Sequence, residues 1–129
     1  MENQARILIV DDDADFVAAT RKILEANGYE VDSSYTTHEA KKKIRAHRPD
    51  LILMDVMMER MNDGFVLCTE LKNDDRYKDI PVIVLTSVTE KTGLKFSPEK
   101  DGEYLEAEAL LDKPVEPAEL LRRIRELSS

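Results

Sequence analysis

The sequence predicts an α/β fold in which one domain, residues 1–129, is built on a five-stranded parallel sheet. Two observations carry this prediction. Short apolar runs of strand length alternate along the chain with amphipathic stretches of helix length. Strands that alternate with helices are joined by crossover connections, which makes neighbouring strands parallel. The chain contains no internal repeat, low-complexity segment or linker that would divide it into two domains.

The first half of the chain supplies two strands and two helices. "RILIV" (6–10) is β-branched and apolar, as a buried strand is. Residues 11–27 place apolar side chains on one helical face, and Gly28 is a typical helix stop. "YEVDSSY" (29–35) alternates and is polar, which indicates an edge strand. A capping-box pattern formed by Thr36 and Glu39 predicts a helix through His47.

The second half continues the alternation. "DLILMD" (50–55) is uniformly apolar up to its last residue, which favours a central strand. Residues 65–72 are helical in pattern, "PVIVLTS" (81–87) predicts a second central strand, and "ALLD" (109–112) predicts a short fifth strand. Pro117 opens a last helix whose apolar stripe consists of Leu120, Leu121, Ile124 and Leu127.

One segment departs from the pattern. Residues 88–108 are highly charged and contain Gly93, Pro98 and Gly102, so we expect an extended, helix-poor segment where a crossover helix would otherwise lie. Connections of this length are uncommon in compact domains and are usually functional or mobile.

Composition limits the function classes. The formal net charge of −8 argues against nucleic-acid binding by this chain, because phosphate backbones require clustered cations. The "KKK" run at 41–43 is expected to be a solvated helix face. No apolar stretch reaches the length of a membrane span and no secretory signal is visible, so we expect no membrane association. A single cysteine, Cys68, fits a reducing cytoplasm and a small apolar position on a helix.

Polar residues stand where the predicted strands end. Asp11 and Asp12 follow the first strand, Asp55 ends the third, Thr86 ends the fourth and Lys113 follows the fifth. Ligands of open α/β sheets gather at the carboxyl ends of the strands. Clustered carboxylates with room for water favour Mg²⁺, and an adjacent ammonium and hydroxyl favour an arriving anion. The set predicts an aspartate that accepts a phosphoryl group. Taken alone, the acidic residues after the first strand fit a helix cap better than a metal site, and Asp12 or Asp13 could supply that cap.

The sequence resembles the receiver domain of two-component response regulators, including the single-domain chemotaxis type. The resemblance is carried by "ILIVDDD", "DLILMDVMM", the "DG" at 63–64, "PVIVLTS" and "LLDKPV", and it covers nearly the whole chain. It implies a doubly wound, flavodoxin-like fold with strand order 2-1-3-4-5. It also implies a phosphoacceptor signalling domain that catalyses only its own phosphorylation and dephosphorylation and does not turn over other substrates.

The resemblance further implies a metal site. Asp12 would bind Mg²⁺ directly, Asp11 would bind it through water, and Asp55 and the backbone carbonyl of Met57 would complete the protein ligands.

It also implies how the phosphoryl group is received. Asp55 would be the phosphoacceptor, Lys113 would pair with the phosphoryl oxygens, and Thr86 would hydrogen-bond to them and shift inward. The donor would be a phosphohistidine on a sensor histidine kinase or a phosphotransfer protein. The signal would pass to a separate downstream protein or to an output domain outside this sequence, and the sequence leaves both possibilities open.

The chain departs from the family pattern at several positions. Glu59 stands where a proline is usual, in a loop that is one residue longer, and Leu110 replaces the aromatic residue of the switch. In receiver domains the residues two after the phosphoacceptor and two after the threonine flank the path of the hydrolytic water. The resemblance assigns these places to Met57 and Val88, whose apolar side chains cannot orient water, which predicts slow self-dephosphorylation. The long 88–108 segment predicts an unusual partner surface.

Two other function classes fit the sequence less well. Some Mg²⁺-dependent phosphohydrolases use an aspartate after a strand, but they need a second acid two residues later, where this chain has Met57. A degenerate receiver that binds partners without phosphorylation usually lacks an acidic residue or the lysine, whereas all of these residues are present here.

Overall fold

A computed structural model describes residues 5–55, 63–86, 109–112 and 115–128. The described elements, in chain order, are β1 (Arg6–Val10), α1 (Ala14–Ala26), β2 (Glu30–Ser34), α2 (Thr37–Ala46), β3 (Leu51–Asp55), α3 (Asp63–Lys72), β4 (Val82–Thr86), β5 (Ala109–Asp112) and α4 (Pro117–Ser128). The α/β class predicted from the sequence is therefore confirmed. The predicted helix-poor segment 88–108 lies outside the described residues.

All strand pairs in the sheet are parallel, and the strand order is β2-β1-β3-β4-β5. β3 lies between β1 and β4, and all five of its residues are buried, as its unbroken apolar run predicts. β2 forms one edge, in agreement with its polar sequence. The four-residue strand β5 pairs with β4 from Ile83↔Ala109 to Thr86↔Asp112.

Two apolar layers cover the two faces of the sheet. Because side chains alternate along a strand, neighbouring strand residues belong to different layers. Helices α2 and α3 cover one face, and α1 and α4 cover the other. The first layer contains Leu8, Val10, Ala40, Ile44, Ile52, Met54, Leu67, Cys68, Leu71, Ile80, Val82 and Val84. The second contains Ile7, Ile9, Val17, Leu24, Val31, Leu51, Leu53, Ile83, Leu85, Leu111, Leu120 and Ile124.

The residues that cap the N-termini of α1 and α2 are of types that favour this position. The side chain of Asp13 accepts hydrogen bonds from the backbone N–H groups of Asp15 and Phe16 at 3.1 and 3.2 Å, so α1 begins three residues later than the pattern suggested. The Thr36 hydroxyl accepts from the Glu39 N–H at 3.0 Å. The Glu39 carboxylate reaches back to the N–H of Tyr35 at 3.1 Å, one residue before the position that a standard capping box uses.

Side chains cover the free edge of β2. Arg21 of α1 donates to the Val31 carbonyl at 2.8 Å, and Lys43 of α2 donates to the Ser33 carbonyl. Asp32 accepts from the Ser33 N–H at 2.8 Å. The pKa of Asp32 lies below its usual value, because burial, which raises it, is outweighed by the Ser33 N–H and by Lys43. An edge strand whose backbone groups are bonded in this way offers few groups to an incoming strand.

The expectation of a solvated face for residues 41–43 agrees with the exposure of Lys42 and the partial exposure of Lys41 and Lys43, although the last two also form ion pairs. Lys43 pairs with Asp32 at 3.1 Å, and Lys41 pairs with Glu70 of α3 at 2.9 Å. Only Lys42 is exposed without an ion pair to the described part of the chain. The acidic partners of the other two lie on the neighbouring strand β2 and the neighbouring helix α3. Cys68 is fully buried on α3, as predicted.

Candidate functional site

The carboxyl ends of β1 and β3 bring three aspartates together. In the β1–β3 ladder Val10 lies opposite Met54, so Asp11 and Asp55 follow at neighbouring positions. Carboxylate oxygens of Asp11, Asp12 and Asp55 all lie within 4.8 Å of one another. The sequence placed these residues at the ends of separate strands, and the strand order is what makes them neighbours.

The three aspartates differ in exposure. Asp11 is fully buried and Asp55 is 4% exposed, whereas Asp12 is exposed. A buried carboxylate must be compensated by hydrogen bonds, by a cation or by neutralisation. We call this cluster the acidic pocket; two of its carboxylates are buried, and the third, that of Asp12, is exposed to solvent.

Backbone hydrogen bonds fix the position of Asp11. Its N–H donates to the Ser34 carbonyl at the end of β2, at 3.1 Å. Its Oδ1 accepts from the N–H of Asp13 at 2.9 Å, and Asp13 in turn caps α1. The helix cap and the acidic pocket therefore share one turn of chain. Sequence reasoning missed the contribution of Ser34, because a backbone carbonyl leaves no signal in side-chain identity.

The structure describes only some of the other predicted site residues. Thr86 is the last residue of β4, and its backbone lies opposite Asp112 of β5, directly before Lys113 in the chain. Asp55 lies opposite Leu85, so β4 ends beside the acidic pocket. Leu110, at the switch position, lies opposite Val84 in the same ladder. Met57, Glu59, Val88 and Lys113 are outside the described residues.

The donor set suits a hard divalent cation. All three side chains offer oxygen atoms, which Mg²⁺ and Ca²⁺ prefer, and three carboxylates within 4.8 Å repel one another unless a cation lies between them. Among the described residues this is the one group of at least three His, Cys, Asp or Glu side chains close enough to share an ion. Of the helices that the structure describes, none combines the length and apolar character needed to cross a membrane.

Comparison with known proteins agrees with this geometry. Residues 7–125 match the response regulator receiver domain family. The response regulator MprA of Mycobacterium ulcerans is 38% identical over 125 residues, which are 95% of this chain and 49% of that protein. The chain thus spans about half the length of the curated relatives that it matches.

Solved structures agree as well. The chain superimposes with a TM-score of 0.83 on a putative response regulator from Chloroflexus aurantiacus, at 30% identity over 96% of this chain and 97% of that one. It superimposes with a TM-score of 0.81 on the chemotaxis response regulator CheY4 of Vibrio cholerae, at 31% identity over 96% and 98% of the two chains. With its parallel sheet, its aspartate pocket and a sequence match over nearly its full length, the chain belongs to the response regulator receiver domain family of two-component systems.

Proposed function

We propose that Asp55 accepts a phosphoryl group in a Mg²⁺-dependent reaction and that this modification switches a protein-interaction surface. The observation that carries the proposal is the position of Asp55. Its carboxylate is almost buried, yet it lies at the open end of the sheet within 4.8 Å of two further carboxylates. A lone buried aspartate would be costly, whereas an aspartate beside a cation site is suited to receive negative charge.

Asp11, Asp12 and Asp55 would hold the metal ion, with the Met57 carbonyl as a further ligand. When bound, Mg²⁺ would neutralise the carboxylates and polarise the phosphoryl oxygens. Asp12 is the exposed member and therefore suits direct ligation, while buried Asp11 suits an outer position that orients a water ligand. Both assignments follow the family resemblance, and the exposure of the two residues is consistent with it.

The transfer itself would be an in-line displacement. A carboxylate oxygen of Asp55 attacks the phosphorus of a phosphohistidine, the P–N bond breaks as the new P–O bond forms, and the donor imidazole leaves with a proton from solvent. Lys113 and Thr86 would bind the phosphoryl oxygens. Support for this comes from chain position, since Thr86 ends β4 opposite Asp112, which directly precedes Lys113.

Phosphorylation would act as a switch by biasing two arrangements of the β4–β5 end of the sheet. The oxygens of the transferred phosphoryl group would accept new hydrogen bonds from Thr86 and Lys113. In this chain the change would be transmitted without the usual aromatic side chain, because the corresponding residue is Leu110. We therefore propose weaker or differently routed coupling to the output surface.

The partners that follow are a sensor histidine kinase or phosphotransfer protein upstream and a separate protein or output domain downstream. The curated relatives are about twice as long as this chain, which supports the involvement of an output domain. We place the reaction in the cytoplasm.

Incubation with acetyl phosphate and Mg²⁺, followed by intact-mass measurement, tests the proposal. We expect one added phosphoryl group, which EDTA prevents and which Asp55→Asn abolishes. Asp75→Asn is the matched control, because Asp75 is highly exposed and lies away from the pocket, and it should be modified like wild type. Modification of Asp55→Asn would refute the assignment of the acceptor. Release of phosphate from many equivalents of a phosphate monoester would instead support a phosphohydrolase.

A further inference from the structure

Positive charge is concentrated in one short stretch of this acidic protein. Residues 41–48, "KKKIRAHR", contain five lysines and arginines and no carboxylate, although the chain as a whole carries a formal charge of −8. The stretch covers the second half of α2 and the residues that follow it. Such separation of charge creates a local positive potential on a surface that otherwise repels anions.

Several of these cations remain available to a partner. Lys42 and Arg45 are exposed, and neither forms an ion pair with the described part of the chain. Arg48 is exposed as well, and the one hydrogen bond seen for it in that part is from its Nε to the carbonyl of Arg76, at 3.4 Å. We call Lys42, Arg45 and Arg48 the basic strip.

An apolar groove lies beside the basic strip, between α2, α3 and the turn at residues 73–79. Its floor is formed by Ile44, Leu67, Leu71 and Tyr77. Its cavity volume is about 60 Å³. Small-molecule sites usually have volumes of about 300–1,000 Å³, so this groove fits a single side chain and does not fit a cofactor.

Most of the charged side chains on the rim of the groove are paired with one another. Lys41 of α2 and Glu70 of α3 are joined across it at 2.9 Å. Arg76 binds Asp74 with its Nη2 at 2.8 Å and its Nε at 3.1 Å, and its guanidinium lies 4.9 Å from the centre of the Tyr77 ring. The charge of Arg45 also helps to lower the pKa of Asp74, but no hydrogen bond or close ion pair joins the two among the described residues. The guanidinium N–H groups of Arg45 are therefore the rim donors left to bind an external carboxylate.

We propose that the groove between α2 and α3 docks a short acidic segment of a protein partner. One apolar side chain of that segment would enter the groove, and flanking carboxylates would bind the basic strip. A nucleic acid has the same sign of charge, but the apolar floor offers it nothing, and a long polyanion would also meet the acidic remainder of the surface. The proposal concerns the unphosphorylated protein and does not depend on Asp55.

Chemical-shift mapping of the isotopically labelled protein with synthetic peptides tests the proposal. The probe is a ten-residue glutamate-rich peptide with a central leucine, compared with the same peptide carrying serine instead. We expect shift changes at residues 41–48 and 67–77, weaker binding of the serine peptide, and loss of affinity as salt rises from about 50 to about 300 mM.

Charge reversal supplies a matched pair of variants. Lys42→Glu/Arg45→Glu should weaken binding by at least about tenfold, or 1.4 kcal/mol. Lys22→Glu/Arg125→Glu has the same residue types and charge change on exposed positions of α1 and α4, and it should change affinity by less than about twofold. Equal losses in the two variants, shift changes elsewhere, or no binding at millimolar peptide would each overturn the proposal. Tighter binding of a single-stranded oligonucleotide to the same residues would also overturn it.

Discussion

Repulsion within the aspartate pocket predicts that Asp12→Asn stabilises the metal-free protein. Asp12 lies within 4.8 Å of two other carboxylates, so the substitution removes two repulsive pairs. At that separation Coulomb's law gives about 0.9 kcal/mol per pair in water and about 3.5 kcal/mol at an effective dielectric constant of 20. Because Asp12 is exposed, the lower value applies. We expect the free energy of unfolding to rise by about 1–2 kcal/mol at low salt.

Magnesium should reverse this order of stability. A ligand that binds only the folded state at 100 times its Kd adds about 2.7 kcal/mol to the free energy of unfolding. Wild type should show a gain of this kind, whereas Asp12→Asn has lost a proposed ligand and should gain much less. Urea unfolding with EDTA and with saturating Mg²⁺ measures both effects.

Asp13→Asn is the control for this experiment. It removes the same charge from the adjacent residue, and asparagine replaces aspartate as a helix cap with little loss. The charge lies at the N-terminus of α1, so its removal should cost about 0.3–1 kcal/mol with or without Mg²⁺. The reasoning is refuted if Asp12→Asn is no more stable than Asp13→Asn without metal, or if Mg²⁺ stabilises both variants equally.

Three further predictions follow from single residues. The Ser34 hydroxyl is fully buried and has no hydrogen-bond partner in the described part of the chain. Ser34→Ala should therefore raise the free energy of unfolding, measured in urea, by about 0.5–2 kcal/mol, whereas Ser33→Ala should not. A loss of stability in Ser34→Ala would contradict the burial argument. Arg76 lowers the pKa of Asp74 from the usual 3.8 to about 2. The Arg76–Asp74 ion pair therefore stabilises the fold above pH 3.8, and this stabilisation is lost as the pH falls through about 2. NMR titration of the Asp74 carboxyl should show a midpoint at about 2, which Arg76→Ala should move up towards 3.8. Met57 and Val88 are apolar, so replacing them with Glu and Asn should accelerate loss of the phosphoryl group from Asp55. The loss is followed by intact mass after the phosphodonor is removed. An unchanged rate of loss would rule out a role of Met57 and Val88 in slow hydrolysis.

Much of the fold can be predicted from local pattern. Strand alternation, the Thr36 cap and the central position of β3 all follow from neighbouring residues, because backbone hydrogen bonding and burial impose fixed periods. Helix starts are less certain. Asp11, Asp12 and Asp13 all resemble cap residues, and only the folded chain assigns Asp13 to the cap and the other two to the pocket.

The structure brings Asp11, Asp12 and Asp55 together, while their roles as metal ligands and phosphoacceptor stay predictions. The roles of Thr86, Lys113 and Met57 remain predictions. The ion pairs of the 41–43 run could not be predicted from the sequence. Runs of charged residues are usually exposed, and this can be read from the sequence. Ion pairs such as Lys41–Glu70 join residues far apart in the chain, so no local pattern reveals them.

The sequence by itself determined the order of strands and helices, with helix starts to within three residues, and it determined which residue types stand at the strand ends. It also carried the resemblance to receiver domains, from which the proposed chemistry follows. Tertiary structure alone decided that Asp11 and Asp55 are buried while Asp12 is exposed, and that a groove with an apolar floor lies beside the basic strip. The physical reason is range. Backbone periodicity acts over a few residues, whereas burial and charge depend on atoms that approach one another only after the sheet has formed.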